Sequence, residues 1–320
     1  MFKRFATIAF AGGAALWISA AGLAADDSYP SKPITMTITF TAGGAADIAG
    51  RLAAAAAEKE LGQPISTVNK LGGGGSIGFD YVGNQAPDGY NIGWLSASIL
   101  TTTLLGNLPY AYDHFDYVCG VTFDATALVV RADAPWKSLP EFIEAAKADP
   151  KKIKIGHAGS GSFTYMTAAA LMSQQGAEVT YVPVAARRVA SLLGGEIDAI
   201  SVHPPEVIPS MRDGKVRLLA ISSPKRVDAY PDVPTFGELG MEVGFYQFRG
   251  IFVPKGTPEP IKTKLAEAFK AAENDPKLMQ AAKDRGFGIN YIGIDEFPDY
   301  VAKQNDLLKQ VVDELKKAAN

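Results

Sequence analysis

The sequence predicts an α/β protein of two lobes, with the chain passing between them twice. Three observations predict it. Strand-like and helix-like segments alternate along the chain, 320 residues suit about two domains of 100–200 residues each, and no Ser- or Pro-rich linker marks a single cut. Such alternation implies parallel sheets with helices on both faces. Segments 121–131 and 248–253 are the candidate crossings, so that 25–125 with 249–320 forms one lobe and 126–248 the other.

Residues 1–24 precede the fold. Phe2-Lys3-Arg4 opens with positive charge, 5–21 is uncharged and mostly apolar, and Gly22 and Ala24 are small residues just before Asp26. This is a secretory signal peptide cut after Ala24; it is too short and too glycine-interrupted for a membrane anchor. The first strand is 34–40, where β-branched residues alternate. An alanine-rich helix over 45–61 follows, stopped by Gly62. A second unit runs 65–69, then Gly72-Gly73-Gly74-Gly75, then a short helix from Ser76. Further strands are 90–95 and 126–131. Ser138-Leu139-Pro140-Glu141 is a capping box for the next helix. Strand 153–157 leads into a helix over 163–175, and 181–183, 199–202 and 216–221 are strands. After 251–253, Thr257-Pro258 starts a helix through Lys270, and Asp275-Pro276 starts another. The last helix begins near Asp295 and places Tyr300, Gln304, Leu307, Val311 and Leu315 along a buried seam.

Composition excludes several functions. With 31 Lys+Arg against 34 Asp+Glu the net charge is -3, or -5 once Lys3 and Arg4 leave with the signal peptide. No basic stripe appears, which argues against a nucleic-acid partner. The single cysteine, Cys119, cannot form an internal disulfide and reads as a buried small hydrophobe. His114, His157 and His203 leave little material for a metal site, and no cofactor is implied. Ser160, within Ala158-Gly159-Ser160-Gly161-Ser162, does not sit in a nucleophile elbow, and zinc-protease and calcium-loop motifs do not occur.

In α/β sheets, ligands sit beyond the carboxyl ends of strands, where helix N-termini aim N–H groups outward. Two loops of this kind carry no cation, so an anion there is held by backbone amides and the helix dipole. The first is Phe40-Thr41-Ala42-Gly43-Gly44-Ala45-Ala46-Asp47. The second is His157-Ala158-Gly159-Ser160-Gly161-Ser162-Phe163, with hydroxyls added. The candidate ligand-binding residues are Phe40, Thr41, Ala42, Gly43, Gly44, Ala46 and Asp47 on the first loop, and His157, Gly159, Ser160, Gly161, Ser162 and Phe163 on the second. Ser96 and Ser98 join them at the third strand's end, with His203 ahead of Pro204-Pro205 and Arg249 between Phe248 and Gly250. Arg187-Arg188 and Arg249 are the candidate cations, the pair reading otherwise as a solvated helix start. The tetraglycine run formally matches a dinucleotide fingerprint, but it lies on the second β–α unit of an exported chain and reads as a cleft-edge loop. Phe40, Phe163, Tyr165 and Tyr246 are candidates to line a slot for an apolar ligand body. Three functions remain open: a carrier for a small organic anion, a secreted hydrolase or lyase using Ser160 or Ser162 with His157 or His203, and a sensor subunit docking on a receptor kinase.

Several runs then point to one family. Tyr29-Pro30-Ser31-Lys32-Pro33-Ile34 with the first loop, Asn69-Lys70-Leu71 with the tetraglycine and Ser76-Ile77-Gly78, and Pro87-Asp88-Gly89-Tyr90 occur in order. Leu192-Leu193-Gly194-Gly195-Glu196-Ile197-Asp198, Tyr230-Pro231-Asp232-Val233-Pro234-Thr235-Phe236 and the run from Arg249 to Pro258 continue them. Together they resemble the periplasmic solute-binding proteins of tripartite tricarboxylate transporters (the Bug/TctC type). The resemblance implies a type II-like periplasmic-binding-protein fold, with two crossovers and a cleft that closes on a small organic carboxylate, either a di- or tricarboxylate or an aromatic acid. It also implies a periplasmic location and membrane transporter subunits as partners. Backbone groups and ordered waters at the first loop hold one carboxylate in the family, a role that falls on Ala42, Gly43, Gly44 and Ala46; the second lobe's part falls on residues 159–162. Thr41 stands where the family usually has proline. After Val182-Pro183, Val184-Ala185-Ala186-Arg187-Arg188 is about two residues shorter and more basic than the family's glycine-rich stretch.

Overall fold

A computed structural model describes residues 29–318, apart from 242 and 244. The expected signal peptide and its cleavage site lie outside the described residues. The chain begins with β1 (Ile34–Ile38), α1 (Ala45–Leu61), β2 (Ile65–Asn69), α2 (Ser76–Gly83), β3 (Asn91–Ser96), α3 (Ser98–Leu104) and β4 (Phe115–Asp124). It continues through β5 (Ala127–Arg131), α4 (Leu139–Ala148), β6 (Lys154–His157), α5 (Phe163–Gln174), β7 (Thr180–Pro183), α6 (Arg188–Leu193), β8 (Ala199–Val202), α7 (Ile208–Arg212) and β9 (Val216–Ile221). It ends with β10 (Gln247–Pro254), α8 (Glu259–Lys270), α9 (Pro276–Arg285), β11 (Gly288–Ile292) and α10 (Phe297–Ala318). Two sheets result, ordered β11-β4-β10-β3-β1-β2 and β7-β6-β8-β5-β9.

The sheets are mixed, which corrects the expectation of parallel ones. β1 pairs in parallel with β2 and β3, whereas β10 runs antiparallel to β3 and β4, and β5 antiparallel to β8 and β9. The antiparallel strands are those on either side of the points where the chain changes sheet. β4 ends in the first sheet at Asp124 and β5 begins in the second at Ala127, so the first passage is only Ala125-Thr126. β10 lies wholly in the first sheet from Gln247 onward, so the return passage precedes it and does not fall at 248–253.

Local chemistry explains the main elements. β1 buries Ile34, Met36 and Ile38, and the face of α1 that covers the first sheet is built from alanines. Small residues let this helix approach closely: a side chain at Gly50 would meet the Trp94 ring at 3.1 Å. Gly62, with φ 65°, ends α1 and donates its N–H to Glu58 O. Ser138 Oγ accepts the Glu141 N–H at the start of α4, and Asp275 accepts from Lys277 and Leu278 at the start of α9. Cys119 is fully buried in β4, and burial pushes its thiol pKa up.

The last helix is in the expected place with its seam turned. Phe297, Val301, Leu308 and Val312 are the buried apolar positions and Leu307 is partly exposed, so the core stripe lies one residue away from the Tyr300/Leu307/Val311 row. α10 packs on β4 and also reaches α3 and α5, which joins the apolar core of the first sheet to that of the second. The sequence reading omitted β11 and most of β4. β11 is a short, half-buried edge strand with little hydrophobic contrast, and Gly120 interrupts the β-branched character of β4.

Gly93 on β3 sits opposite Phe252 on β10, and a Cβ there would fall 2.0 Å from the Phe252 ring. Gly93→Ala is therefore expected to destabilise the fold by about 1–3 kcal/mol through overpacking, measured by urea unfolding. A change below about 0.5 kcal/mol would mean that the ring yields and the contact is not a constraint.

Candidate functional site

A cavity of about 190 Å³ opens between the two sheets, where β1 and β3 end and antiparallel β10 begins above the first and β6 and β8 end above the second. At about 30 Å³ per water it holds roughly six waters, the scale of a small organic acid. Of the residues singled out from the sequence, Phe40, Thr41, Ala42, Gly43, Gly44 and Ala46 line it from the first loop. Ser98, Ser162, Phe163, His203 and Arg249 line it from the remaining elements.

The first loop is held by Asp47, which does not itself line the cavity. Its carboxylate accepts the Gly43 N–H at 2.9 Å, Asn69 Nδ2 at 2.9 Å and Arg51 Nε at 2.8 Å. Burial alone would raise its pKa, but these bonds outweigh that and hold the carboxyl below the usual range. Gly44 donates to Thr41 O, so the two glycine amides are already used within the loop. α1 has no side-chain cap, which leaves the amides of Ala45 and Ala46 as the open donors at its positive end. Gly43, at φ 76°, makes the turn that aims them.

Behind the loop a chain of hydrogen bonds links the two sheets. Gln247 Nε2 donates to Ser96 Oγ at 2.7 Å, Ser96 Oγ donates to Ser98 Oγ at 3.2 Å, and the Phe163 N–H at the start of α5 also donates to Ser98 Oγ. Ser96 is thus a relay behind the wall. Ser98 accepts twice, and its own O–H has no acceptor assigned among the described residues, on a residue that lines the cavity.

The base of the cleft is ionic. Arg249, 1% exposed, donates from Nε to Asp124 Oδ2 at 2.5 Å. His203 Nδ1 lies 2.9 Å from Ala125 O. That carbonyl can only accept, so Nδ1 carries the proton. Burial and the Arg249 charge lower the His203 pKa, so its Nε2 is unprotonated at neutral pH.

The second loop differs from its expected role. His157 is buried away from the cavity, against Tyr165 and Tyr181, and its Nδ1 accepts the Gly159 N–H at 3.2 Å. Ser162 caps α5 by accepting from Tyr165 N, so this helix start is satisfied by its own chain, unlike α1. Gly159 and Ser160 face a neighbouring space with the tetraglycine loop, while Gly161 packs on Asn107 and Thr102. These contacts lock the sheets together on one side of the cavity. Thr101 Oγ1 donates to Gly161 O, and Asn107 Nδ2 to Ser160 O at 3.0 Å. A Cβ at Gly74 would lie 2.6 Å from Ser160 O, so the tetraglycine is a contact surface between the two halves. No Ser–His hydrogen bond joins Ser160 or Ser162 to His157 or His203 among the described residues, and Ser162 Oγ is used as a cap. Tyr165 belongs to the His157 cluster, and Tyr246 borders a separate space.

Sequence reasoning missed Ala45, Ala158, Thr164, Ala186, Val189 and Glu206, which also line the cavity, as does Arg188, one of the candidate cations. The Arg187-Arg188 pair divides: Arg187 is exposed and bonded to Glu196, while Arg188 is buried and bonded to Glu206. Glu206 follows β8 by four residues, so the rule that sites gather beyond strand carboxyl ends could have found it.

Comparison with known proteins places this geometry. A family model for the tripartite tricarboxylate transporter family receptor matches residues 49–316. The chain is 32% identical over 318 residues to the "UPF0065 protein in gbd 5'region" of Cupriavidus necator, covering 95% of each. It is similar to the structure of periplasmic binding protein BugD, at 29% identity and a TM-score of 0.83, over 90% of this chain and 99% of that one. It is also similar to MatC from Rhodopseudomonas palustris with bound malate, at 28% identity and a TM-score of 0.82, over 89% and 100%. The shared fold is that of two-lobed periplasmic binding proteins, and none of these similarities supports the hydrolase alternative.

The buried His157 gives the fold an acid limit. Burial, assisted by the Arg188 charge, lowers its pKa from 6.5 to about 4. Between those values the unfolded chain binds a proton that the folded chain refuses, so stability falls as pH drops through this window, by up to about 3 kcal/mol. His203 adds to the same window, whereas Asp47 acts only below its ordinary carboxylate range. Melting curves from pH 7.5 to 4.5 are expected to be flatter for His157→Gln than for the wild type. Parallel curves would show that His157 does not supply the effect.

Proposed function

The chain belongs to the tripartite tricarboxylate transporter receptor family, and from that premise we propose that it is a periplasmic carrier that captures a small organic carboxylate and delivers it to membrane transporter subunits. The observation that carries this reading is the uncapped start of α1 facing the same cavity as Arg249 and the free Ser98 hydroxyl. That donor set matches a carboxylate, which accepts at both oxygens. The malate bound in MatC supports the same ligand class.

In this account one carboxylate meets the amides of Ala45 and Ala46, with Gly43, Gly44 and Asp47 shaping the loop and Ser98 donating from the facing wall. The lobes follow the two sheets, with the chain passing over at Ala125-Thr126 and returning ahead of Gln247, and residues 1–24 are removed on export. Micromolar affinity needs about 8 kcal/mol, and a charge-assisted hydrogen bond contributes about 1.5–3 kcal/mol. Several donors from both halves must therefore converge, so ligand selects the closed arrangement.

Calorimetry of the mature protein against di- and tricarboxylates and aromatic acids is expected to find at least one binder of micromolar affinity or better, with compaction in small-angle scattering. Ser98→Ala should weaken it about tenfold. A folded protein that stays silent across such a panel would contradict the carrier function, and binding without compaction would contradict closure.

A further inference from the structure

One stretch of the surface carries almost no charge. A space of about 590 Å³ lies beside the ligand cavity, with the tetraglycine loop and Leu71 on one side and Ser160, Pro183, Ala185 and Ala186 on the other. Every residue that lines it is uncharged, although 20% of the chain is charged. Its rim is also apolar. Six large apolar side chains are exposed among the described residues, and three of them, Val68, Leu71 and Ile77, fall within residues 68–77. From Gly62 to Phe79 the one charged residue is Lys70, which lies over the Tyr81 ring at 3.8 Å. An exposed apolar cluster beside an uncharged groove has the composition of an interface centre, where charge is depleted.

The groove crosses from one half of the molecule to the other. Leu71 and Ile77 follow β2, the edge strand of the first sheet, while Ala185 and Ala186 follow β7, an edge strand of the second. Between them runs the contact in which Asn107 Nδ2 donates to Ser160 O and Gly74 packs on Ser160. Phe40, Thr41, Ala158 and Ala186 line both the groove and the ligand cavity, so the two spaces share a wall.

We propose that this groove is the docking surface for a membrane subunit of the transporter, which seats an uncharged, apolar segment between Leu71 and Ile77 on one rim and Ala185 on the other. The proposal rests on the carrier reading above and adds the place where delivery happens. The shared wall singles out this occupant. Whatever fills the groove lies against the ligand cavity, and parting Gly74 from Ser160 opens that cavity toward it. The groove offers no cation to an anionic lipid surface and no counter-charge to an ionic partner. It also needs both halves, so its shape reports whether they are together.

The test adds mature protein back to spheroplasts of a strain lacking it and follows uptake of a radiolabelled acid. The acid is whichever of malate, succinate, adipate and citrate binds tightest in calorimetry. An aspartate buried on docking has no partner in this groove, so it should block the contact. The variant L71D/I77D, and separately Ala185→Asp on the opposite rim, should each cut uptake at least tenfold and leave the calorimetric Kd within twofold, which also shows that they fold. Leu193→Asp and Met279→Asp put the same charge on exposed apolar positions outside the groove and should leave uptake within twofold. Uptake unaltered by either groove variant, or lowered equally by Met279→Asp, would overturn the docking surface while the carrier reading stands. So would a wild type that binds acid and restores no uptake. A Kd changed beyond twofold in the groove variants would make the groove part of the ligand site, and a wild-type dimer in light scattering that L71D/I77D dissociates would seat a second copy there; either result overturns the proposal. If no acid binds the folded wild type, the carrier reading fails and the docking surface with it.

Discussion

The buried ion pair between Arg249 and Asp124 fixes the base of the cleft. Asp124 ends β4, the last strand before the chain leaves the first sheet, and Arg249 lies near the start of β10, the strand by which it returns. The pair therefore clamps both passages together, with Ala125 beside them accepting from His203. Such a pair adds little net stability over an apolar one of similar size, because desolvating two charges offsets their attraction. Losing one partner is another matter, since an uncompensated buried charge costs about 3–5 kcal/mol. The arrangement favours a defined geometry over extra stability, and that geometry determines where Arg249 meets the cavity.

Pairing also decides how an anion can be held. Arg249 is balanced by Asp124, Arg188 by Glu206 and Arg51 by Asp47, so the cavity is not a pool of excess positive charge. A protein with a net charge of -3 offers an anion no long-range attraction, and salt would screen it beyond about 10 Å in any case. On the proposed reading, binding depends instead on donors already oriented: the first amides of α1 and the Ser98 hydroxyl. Donors fixed before the ligand arrives need no ordering when it does, which is how a few contacts reach useful affinity.

Much of this was legible in the sequence because it is local. The first loop follows from a β-branched strand, a glycine turn and an alanine helix, and the glycine-rich stretches mark the places where backbones meet. What the sequence hid was which hydrogen bonds the loops spend on themselves. Gly43 and Gly44 look like ligand donors until Asp47 and Thr41 are seen to take their amides. The residues 157–163 look like a twin of the first loop until Ser98 and Ser162 are found capping α5. Arg188 was hidden for a related reason: burial comes from partners distant in the chain, and Glu206 lies eighteen residues away. The antiparallel pairing of β10 was equally non-local, because it joins strands more than 120 residues apart.

The central claim is that the closed cavity holds a carboxylate at the start of α1. A crystal structure of the mature protein with its tightest-binding acid tests it most directly. The account predicts a carboxylate oxygen within about 3.2 Å of the Ala45 or Ala46 amide nitrogen, between the two halves. An acid bound outside this cavity, or one that turns an apolar part of its body toward those amides, would contradict it.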